Sequence, residues 1–127
     1  MTIRTLLVED NENNRYLATF LLEANGQCVT HASDGPGALK AVEQQHFDLI
    51  LLDVQLPGMD GYAVARALRK SAGGADVPIV AVTSYAMSGD REKALGAGCD
   101  GYIEKPINPL TFVKEVSVYL RTEPGSK

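Results

Sequence analysis

The sequence predicts one sheet of five parallel β-strands covered by helices on both faces, a doubly wound α/β fold. Short apolar segments alternate five times with longer segments of helical period, which is the pattern of repeated β-α units. The run 47–52 is almost continuously apolar and too short for a buried helix, so it is typical of a strand covered on both faces. Because parallel crossovers are right-handed, few topologies remain, and the strand order 2-1-3-4-5 is the commonest for five units.

Each predicted strand is an apolar run that stops at a turn or at a polar residue. The second is the shortest and least apolar, so we expect it near an edge of the sheet. The third stops at Asp53, and the fourth stops at Thr83. The first four predicted strands are Ile3–Val8, Cys28–Ala32, Phe47–Leu52 and Pro78–Val82, and the fifth starts with Gly101-Tyr102-Ile103 and ends at Lys105-Pro106.

The predicted helices follow the strands, and capping residues indicate where they begin. The first begins at Asn11 or Asn13 and stops before Gly26, the second is capped by Ser33 or Asp34, and the third covers Tyr62–Lys70. The fourth runs from its cap Ser88 to about Ala97, and the fifth follows the pair Asn108-Pro109. The residues expected to face the core are Leu17, Phe20, Leu21 and Ala24 in the first helix, Ala38, Leu39 and Val42 in the second, Ala63, Val64, Ala67 and Leu68 in the third, Leu95 in the fourth, and Phe112, Val113, Val116, Tyr119 and Leu120 in the fifth.

Length and composition indicate a single domain and exclude several partners. A chain of 127 residues fits one domain, which we place at residues 1–121, with 122–127 as a polar tail or the start of a linker. No segment approaches the roughly 20 apolar residues of a membrane span, and the N-terminus lacks a signal-peptide pattern, so we expect a cytoplasmic protein. The net charge of −4 argues against direct binding to nucleic acid. Cys28 and Cys99 lack metal-ligand spacing, so we expect both to be reduced, small apolar fillers.

The predicted strand order gathers polar side chains at one edge of the sheet. Glu9 and Asp10 follow the first strand, Asp53 the third, Thr83 the fourth and Lys105 the fifth. Carboxylates 4 Å apart repel one another by about 4 kcal/mol per pair at an effective dielectric of 20, so such a group normally binds a cation. Oxygen ligands favour Mg²⁺, with Mn²⁺ as a possible alternative. A metal, an ammonium and a hydroxyl around one carboxylate predict a phosphoryl-transfer site with that carboxylate as the nucleophile.

Four segments of the chain resemble the signature segments of the receiver domain of response regulators in two-component and phosphorelay signalling. They are VEDN, LLDVQLPGMDG, AVTS and GYIEKPI, and the resemblance spans essentially the whole chain. It implies a flavodoxin-like (βα)5 fold in which Asp53 accepts a phosphoryl group from a phosphohistidine of a partner kinase or phosphotransfer protein. It further implies that Asp10, Asp53 and the backbone carbonyl of Gln55 bind Mg²⁺, with Glu9 as a ligand directly or through water. The domain would catalyse only its own phosphorylation and dephosphorylation.

The resemblance also implies a switch. Thr83 and Lys105 would contact the phosphoryl oxygens, Thr83 would shift towards the phosphate, and an aromatic side chain matching Tyr102 would turn inward. The bond between Lys105 and Pro106 resembles the cis peptide of the family. Phosphorylation would change the surface made by the fourth helix, the fifth strand and the fifth helix, which would act on a downstream protein target or effector domain. The segment 83–107 is most similar to single-domain phosphorelay regulators and to the receiver domains of hybrid kinases.

Other protein classes with a similar fold or an Asp nucleophile require motifs that this sequence lacks. A haloacid-dehalogenase-like phosphatase needs a second Asp where Gln55 stands, and a GTPase needs a GxxxxGK[ST] loop. A flavodoxin-like carrier needs a phosphate loop where the sequence has Glu9 and Asp10. The serious alternative is a receiver-like interaction module that works without phosphate. Tyr102 is open to a second interpretation as a plain core-edge aromatic, and Gln55 and Tyr85 lie where the family tunes hydrolysis, so the phosphoryl lifetime stays open.

Overall fold

The computed structural model describes residues 2–56, 60–84 and 89–120, and within them five parallel strands form one sheet. The strand order is β2-β1-β3-β4-β5, which confirms the predicted fold class and places β2 at an edge. The ends of four strands differ from the prediction by one or two residues, and the second strand has the predicted bounds. The strands are β1 (Arg4–Val8), β2 (Cys28–Ala32), β3 (Leu49–Asp53), β4 (Ile79–Thr83) and β5 (Gly101–Glu104).

The five helices are α1 (Glu12–Ala24), α2 (Gly35–Gln44), α3 (Gly61–Lys70), α4 (Asp90–Gly96) and α5 (Phe112–Ser117). Short polar side chains cap the first three, because each accepts a backbone N–H that the first turn leaves unpaired. Asn11, Asp34 and Asp60 fill these positions, which settles the choice between Asn11 and Asn13 and between Ser33 and Asp34. No helix in the described residues is long and apolar enough to span a membrane.

The central strand β3 is buried along its whole length, and its side chains alternate between two cores. Ile50 and Leu52 face the core under α2, α3 and α4, whereas Leu49 and Leu51 face the core under α1 and α5. This arrangement explains the nearly unbroken apolar run, since both faces of the strand meet a helical layer. It also fixes the strand end, where Asp53 leaves the core at the carboxyl edge of the sheet.

The buried face of α1 differs from the prediction by a rotation of about one residue. Ala18 and Leu22 are buried, whereas the predicted Phe20 is 59% exposed. The predicted Leu17 and Leu21 are only half-buried, and the predicted Ala24 is exposed. Apolar residues occupy several neighbouring positions of this helix, so periodicity alone leaves the rotation open, and packing against the sheet favours the stripe centred on the small Ala18. In α3, Ala65 is buried, the predicted Ala63 is exposed, and the predicted Ala67 is half-buried.

Helix α4 is shorter and packs through smaller side chains than predicted. It begins at Asp90 after Gly89, and the predicted cap Ser88 lies outside the described residues. Leu95, expected to anchor this helix, is 46% exposed, because Ala94 and Ala97 take the buried positions. Helix α4 therefore has little apolar area holding it against the sheet.

The last helix begins three residues after the predicted Asn108-Pro109 start. The Asn108 side chain accepts the Leu110 N–H, and its carbonyl accepts from Thr111 and Phe112, so a turn precedes the helix. Phe112 and Val116 are buried as predicted.

Both cysteines are free, as expected, but only Cys99 is a buried filler. Burial raises the pKa of the Cys99 thiol to about 11. Cys28 is exposed at the start of the edge strand β2, so its prediction as a core filler is wrong.

Arg69 joins three segments on the α3 side of the sheet. Its guanidinium donates to the carbonyls of Gly74, Val77 and Gly98, and it forms an ion pair of 2.6 Å with Asp100. Because Gly98 follows α4, this contact holds the carboxyl end of α4 near the end of α3.

Candidate functional site

The strand order brings the predicted site residues to one edge of the sheet. Glu9 follows β1, Asp53 ends β3, and Thr83 ends β4, while Lys105 follows β5. Parallel pairing keeps these strand ends level, since Asp53 lies opposite Val82 in the sheet. The carbonyl of Thr83 accepts the Lys105 N–H at 2.7 Å, so the last two residues are also joined through the backbone.

Three carboxylates converge at this edge. Glu9, Asp10 and Asp53 each have a carboxylate oxygen within 4.8 Å of the others. Glu9 and Asp53 are buried, with 3% and 4% of their surface exposed, while Asp10 is exposed. Oxygen-only donors, of which one faces solvent, fit a hard divalent cation such as Mg²⁺ that keeps some of its water.

One ammonium group lies between the two buried carboxylates. The Lys105 Nζ is 3.0 Å from Glu9 Oε1 and 3.3 Å from Asp53 Oδ2, and only 9% of the lysine side chain is exposed. A single positive charge thus faces two buried negative charges, with that of Asp10 close by. The site keeps an excess of negative charge that a cation can neutralise.

The burial and crowding of charged groups change the pKa of Glu9. Burial raises the pKa of the Glu9 carboxyl above its ordinary value, and the nearby charge of Asp53 adds to the increase, although Lys105 partly lowers it. The Asn11 N–H also donates to Glu9 Oε2, at 3.2 Å. The Glu9 side chain, which is one methylene longer than that of Asp, reaches the Lys105 ammonium directly.

Gln55 is bonded to the site at both ends, which sequence reasoning missed. Its backbone N–H donates to Asp53 Oδ1 at 2.9 Å, and its side-chain Oε1 accepts the Ser84 N–H at 2.9 Å. Sequence pattern held no signal for the second bond, because the two residues are 29 positions apart and belong to different loops.

The two proposed switch residues lie beside this network. Thr83 is buried, and Tyr102 is half-buried against the core under α2, α3 and α4. The bond between Lys105 and Pro106 is cis, as the resemblance implies. Tyr85 lies outside the described residues.

This fold and this cluster of acids and lysine define a class of CheY-like signalling domains. The chain belongs to the response regulator receiver domain family, whose family model matches residues 5–117. Receiver domains are signalling modules of two-component and phosphorelay systems.

Related proteins align with this chain over nearly its full length. The chain is 39% identical over 120 residues to the polar-differentiation response regulator DivK of Brucella ovis, covering 94% of this chain and 98% of DivK. It is 36% identical to the receiver domain of a Pseudomonas aeruginosa sensor histidine kinase, solved with a magnesium ion in its active-site cleft, with a TM-score of 0.86 and coverage of 96% and 100%. It is 30% identical to the receiver domain of the Saccharomyces cerevisiae response regulator Ssk1, solved with the histidine phosphotransfer protein Ypd1, with a TM-score of 0.82 and coverage of 93% and 88%.

The charge excess predicts that Asp53→Asn stabilises the metal-free chain. At about 5 Å and an effective dielectric of 20, a repulsive pair costs roughly 3 kcal/mol before screening, so we expect a gain of about 1–2 kcal/mol after it. Added Mg²⁺ should stabilise the parent and do much less for the variant, because the cation binds the native state of the parent. Urea melts at pH 7 with and without Mg²⁺ measure both effects, and Glu43→Gln on the exposed face of α2 is the control.

The pH dependence of folding stability has a defined sign. The raised pKa of Glu9 means that the folded state holds a proton more tightly than the unfolded state, so stability falls as pH rises through the folded pKa. The advantage of Asp53→Asn should therefore be largest near neutral pH and shrink on mild acidification. A metal-free Asp53→Asn chain less stable than its parent would make Asp53 a structural cap and contradict the charge-excess account.

Proposed function

We propose that this receiver domain accepts a phosphoryl group on Asp53, in a Mg²⁺-dependent reaction, from a phosphohistidine of a histidine kinase or histidine phosphotransfer protein. The observation that carries the proposal is the buried Asp53 carboxylate, 3.3 Å from the Lys105 ammonium and within 4.8 Å of two further acids. A strand-end carboxylate that served only as a cap would need neither the lysine nor the two further acids beside it. Nucleophile, compensating cation and metal ligands lie together at one sheet edge.

The transfer uses groups already in place. A carboxylate oxygen of Asp53 forms a bond to phosphorus as the bond from phosphorus to the donor imidazole nitrogen breaks, and the leaving imidazole takes up a proton. Lys105 and the Thr83 hydroxyl stabilise the charge on the phosphoryl oxygens. Magnesium, when bound, neutralises further phosphoryl charge.

The residues that would hold the metal are Asp10, Asp53 and the Gln55 backbone carbonyl, with Glu9 directly or through water. The convergence of the three carboxylates supports their part in this set, and the magnesium ion in the cleft of the Pseudomonas aeruginosa relative supports a metal there. Manganese has similar oxygen preferences and could replace it. The domain itself turns over only its own aspartyl phosphate.

An exposed aromatic pair on α1 offers a docking surface for the phosphodonor. Tyr16 and Phe20 are 72% and 59% exposed, and their rings stack with centroids 6.4 Å apart. They lie in the second and third turns of α1, the helix that directly follows Glu9 and Asp10 in the chain. Exposed aromatics of this kind are typical of protein interfaces, and the yeast relative is bound to a phosphotransfer protein.

The output surface is α4, β5 and α5, which would act on a downstream protein target or effector domain. Helix α4 packs mainly through two alanines, and Leu95 and Val118 expose apolar surface on this side. Thr83 and Tyr102 lie in the strands next to it. Weakly anchored elements are the ones that a local change can move.

Intact-mass measurement after incubation with phosphoramidate tests the proposal. We expect the chain to gain one phosphoryl group only with Mg²⁺, and Asp53→Ala to gain none, because Asp53 supplies the nucleophilic oxygen. Asp48→Ala, a strand-preceding acid remote from the site, is the matched control and should be labelled. Equal labelling of Asp53→Ala, or full labelling in excess chelator, would contradict the proposal and favour an interaction module that works without phosphate.

Replacing Phe20 by Ala should slow phosphotransfer from a protein donor and leave labelling by phosphoramidate unchanged, because only the protein needs a docking surface. We expect a three- to tenfold slower reaction with a phosphorylated histidine phosphotransfer protein that labels the parent, in line with the loss of one interface aromatic. Leu95→Ala on α4 is the control, since Leu95 is also an exposed apolar residue. An unchanged rate with the protein donor would place docking elsewhere, and equal losses with both donors would indicate a damaged site.

A further inference from the structure

Gln55 connects the acceptor carboxylate to the segment after β4 through two hydrogen bonds. Its backbone N–H donates to Asp53 Oδ1, and its side-chain Oε1 accepts the Ser84 N–H, each at 2.9 Å. Ser84 directly follows Thr83, so the side chain of Gln55 holds the residue next to the proposed switch. Among the described residues, the neutral amide of Gln55 thus links the loop after β3 to the residue after β4.

The Ser84 end of this connection is the less firmly held one. Ser84 is exposed, and the α4 helix beyond it packs mainly through Ala94 and Ala97. The far end of α4 is fixed, because Arg69 donates to the Gly98 carbonyl at 2.8 Å. Among the described residues, the bond from the Ser84 N–H to Gln55 Oε1 is therefore the contact whose loss would free the near end.

We propose that the Gln55 side chain is a latch that holds Ser84, the residue after β4, while Asp53 is unphosphorylated and releases it on phosphorylation. This inference rests on the proposed phosphorylation of Asp53. The shift of Thr83 that the family resemblance implies would carry the Ser84 N–H with it, because Ser84 directly follows Thr83 in the chain. The new phosphoryl oxygens also compete for N–H donors, because a charged acceptor binds an N–H more strongly than a neutral amide does.

The latch acts on an equilibrium, so its expected effect is moderate. The net contribution of a hydrogen bond between neutral groups corresponds to a factor of about 2–10 in an equilibrium constant. Removing it should therefore favour the released position by that factor. Gln55 is a positioning residue in this proposal, because it acts through Ser84.

The test compares Gln55→Met with the parent chain. Methionine keeps the length of the side chain and removes the acceptor, while the backbone groups of residue 55 stay in place. Beryllium fluoride with Mg²⁺, a mimic of the phosphoryl group on aspartate, serves as the probe. We expect Gln55→Met to bind it about 2–10 times more tightly and to exchange its Ser84 amide proton faster in the free protein.

Three further variants complete the comparison. Gln55→Asn keeps an amide that is one methylene too short, so it should behave like Gln55→Met. Gln55→Glu keeps an acceptor of the right length and should retain the slow exchange of the Ser84 amide. Gln44→Met, at an exposed position of α2, should match the parent in both measurements.

The outcomes separate the latch from the function on which it rests. If the parent binds beryllium fluoride and Gln55→Met binds it equally or more weakly, the latch is overturned and the phosphorylation site stands. If neither the parent nor any variant binds it, the proposed phosphorylation site is overturned and the latch with it. A merely structural role for Gln55 would weaken binding in Gln55→Met and Gln55→Asn together.

Discussion

A single lysine ammonium placed between two buried carboxylates is the interaction on which the site depends. Lys105 lies 3.0 Å from Glu9 and 3.3 Å from Asp53, and all three side chains are nearly excluded from solvent. Buried charges need partners, yet one cation cannot compensate both acids and the exposed Asp10. The sheet therefore maintains an edge with excess negative charge, which suits a divalent cation and a phosphoryl group that arrives with it.

The helices on the two faces of the sheet differ in how much apolar side chain packs them against it. Buried Leu22 and Phe112 of α1 and α5 pack on one face. Helix α4, on the other face, relies on Ala94 and Ala97 and on the Arg69 contact beyond its end. A change in charge at Asp53 would therefore act on buried neighbours in β1 and β3 and, beyond β4, on the weakly packed helix α4. We propose that this asymmetry directs the effect of phosphorylation towards α4.

The sequence was sufficient to predict the features that follow from strand periodicity and strand order. The buried run before Asp53 predicted the central strand, and the order 2-1-3-4-5 then brought Glu9 and Lys105 to the same edge. The rotation of α1 was not predictable from spacing, because apolar residues flank its buried stripe on both sides and packing decides between them. The bond from Gln55 to Ser84 was not predictable either, since it depends on the side-chain geometry of two loops that are distant in sequence.

Backbone hydrogen exchange, measured with and without Mg²⁺ and beryllium fluoride, tests most directly whether occupancy of Asp53 reaches the surface made by α4, β5 and α5. The account predicts changes concentrated between Ser84 and Tyr119, in α4, β5 and α5, because α4 has little apolar packing and β5, which carries the proposed switch residue Tyr102, lies beside it. Helix α2 and strand β2, at the opposite edge of the sheet from β5, serve as the internal reference and should change little. Changes confined to the residues around Asp53, or equally large in α2, would contradict the account.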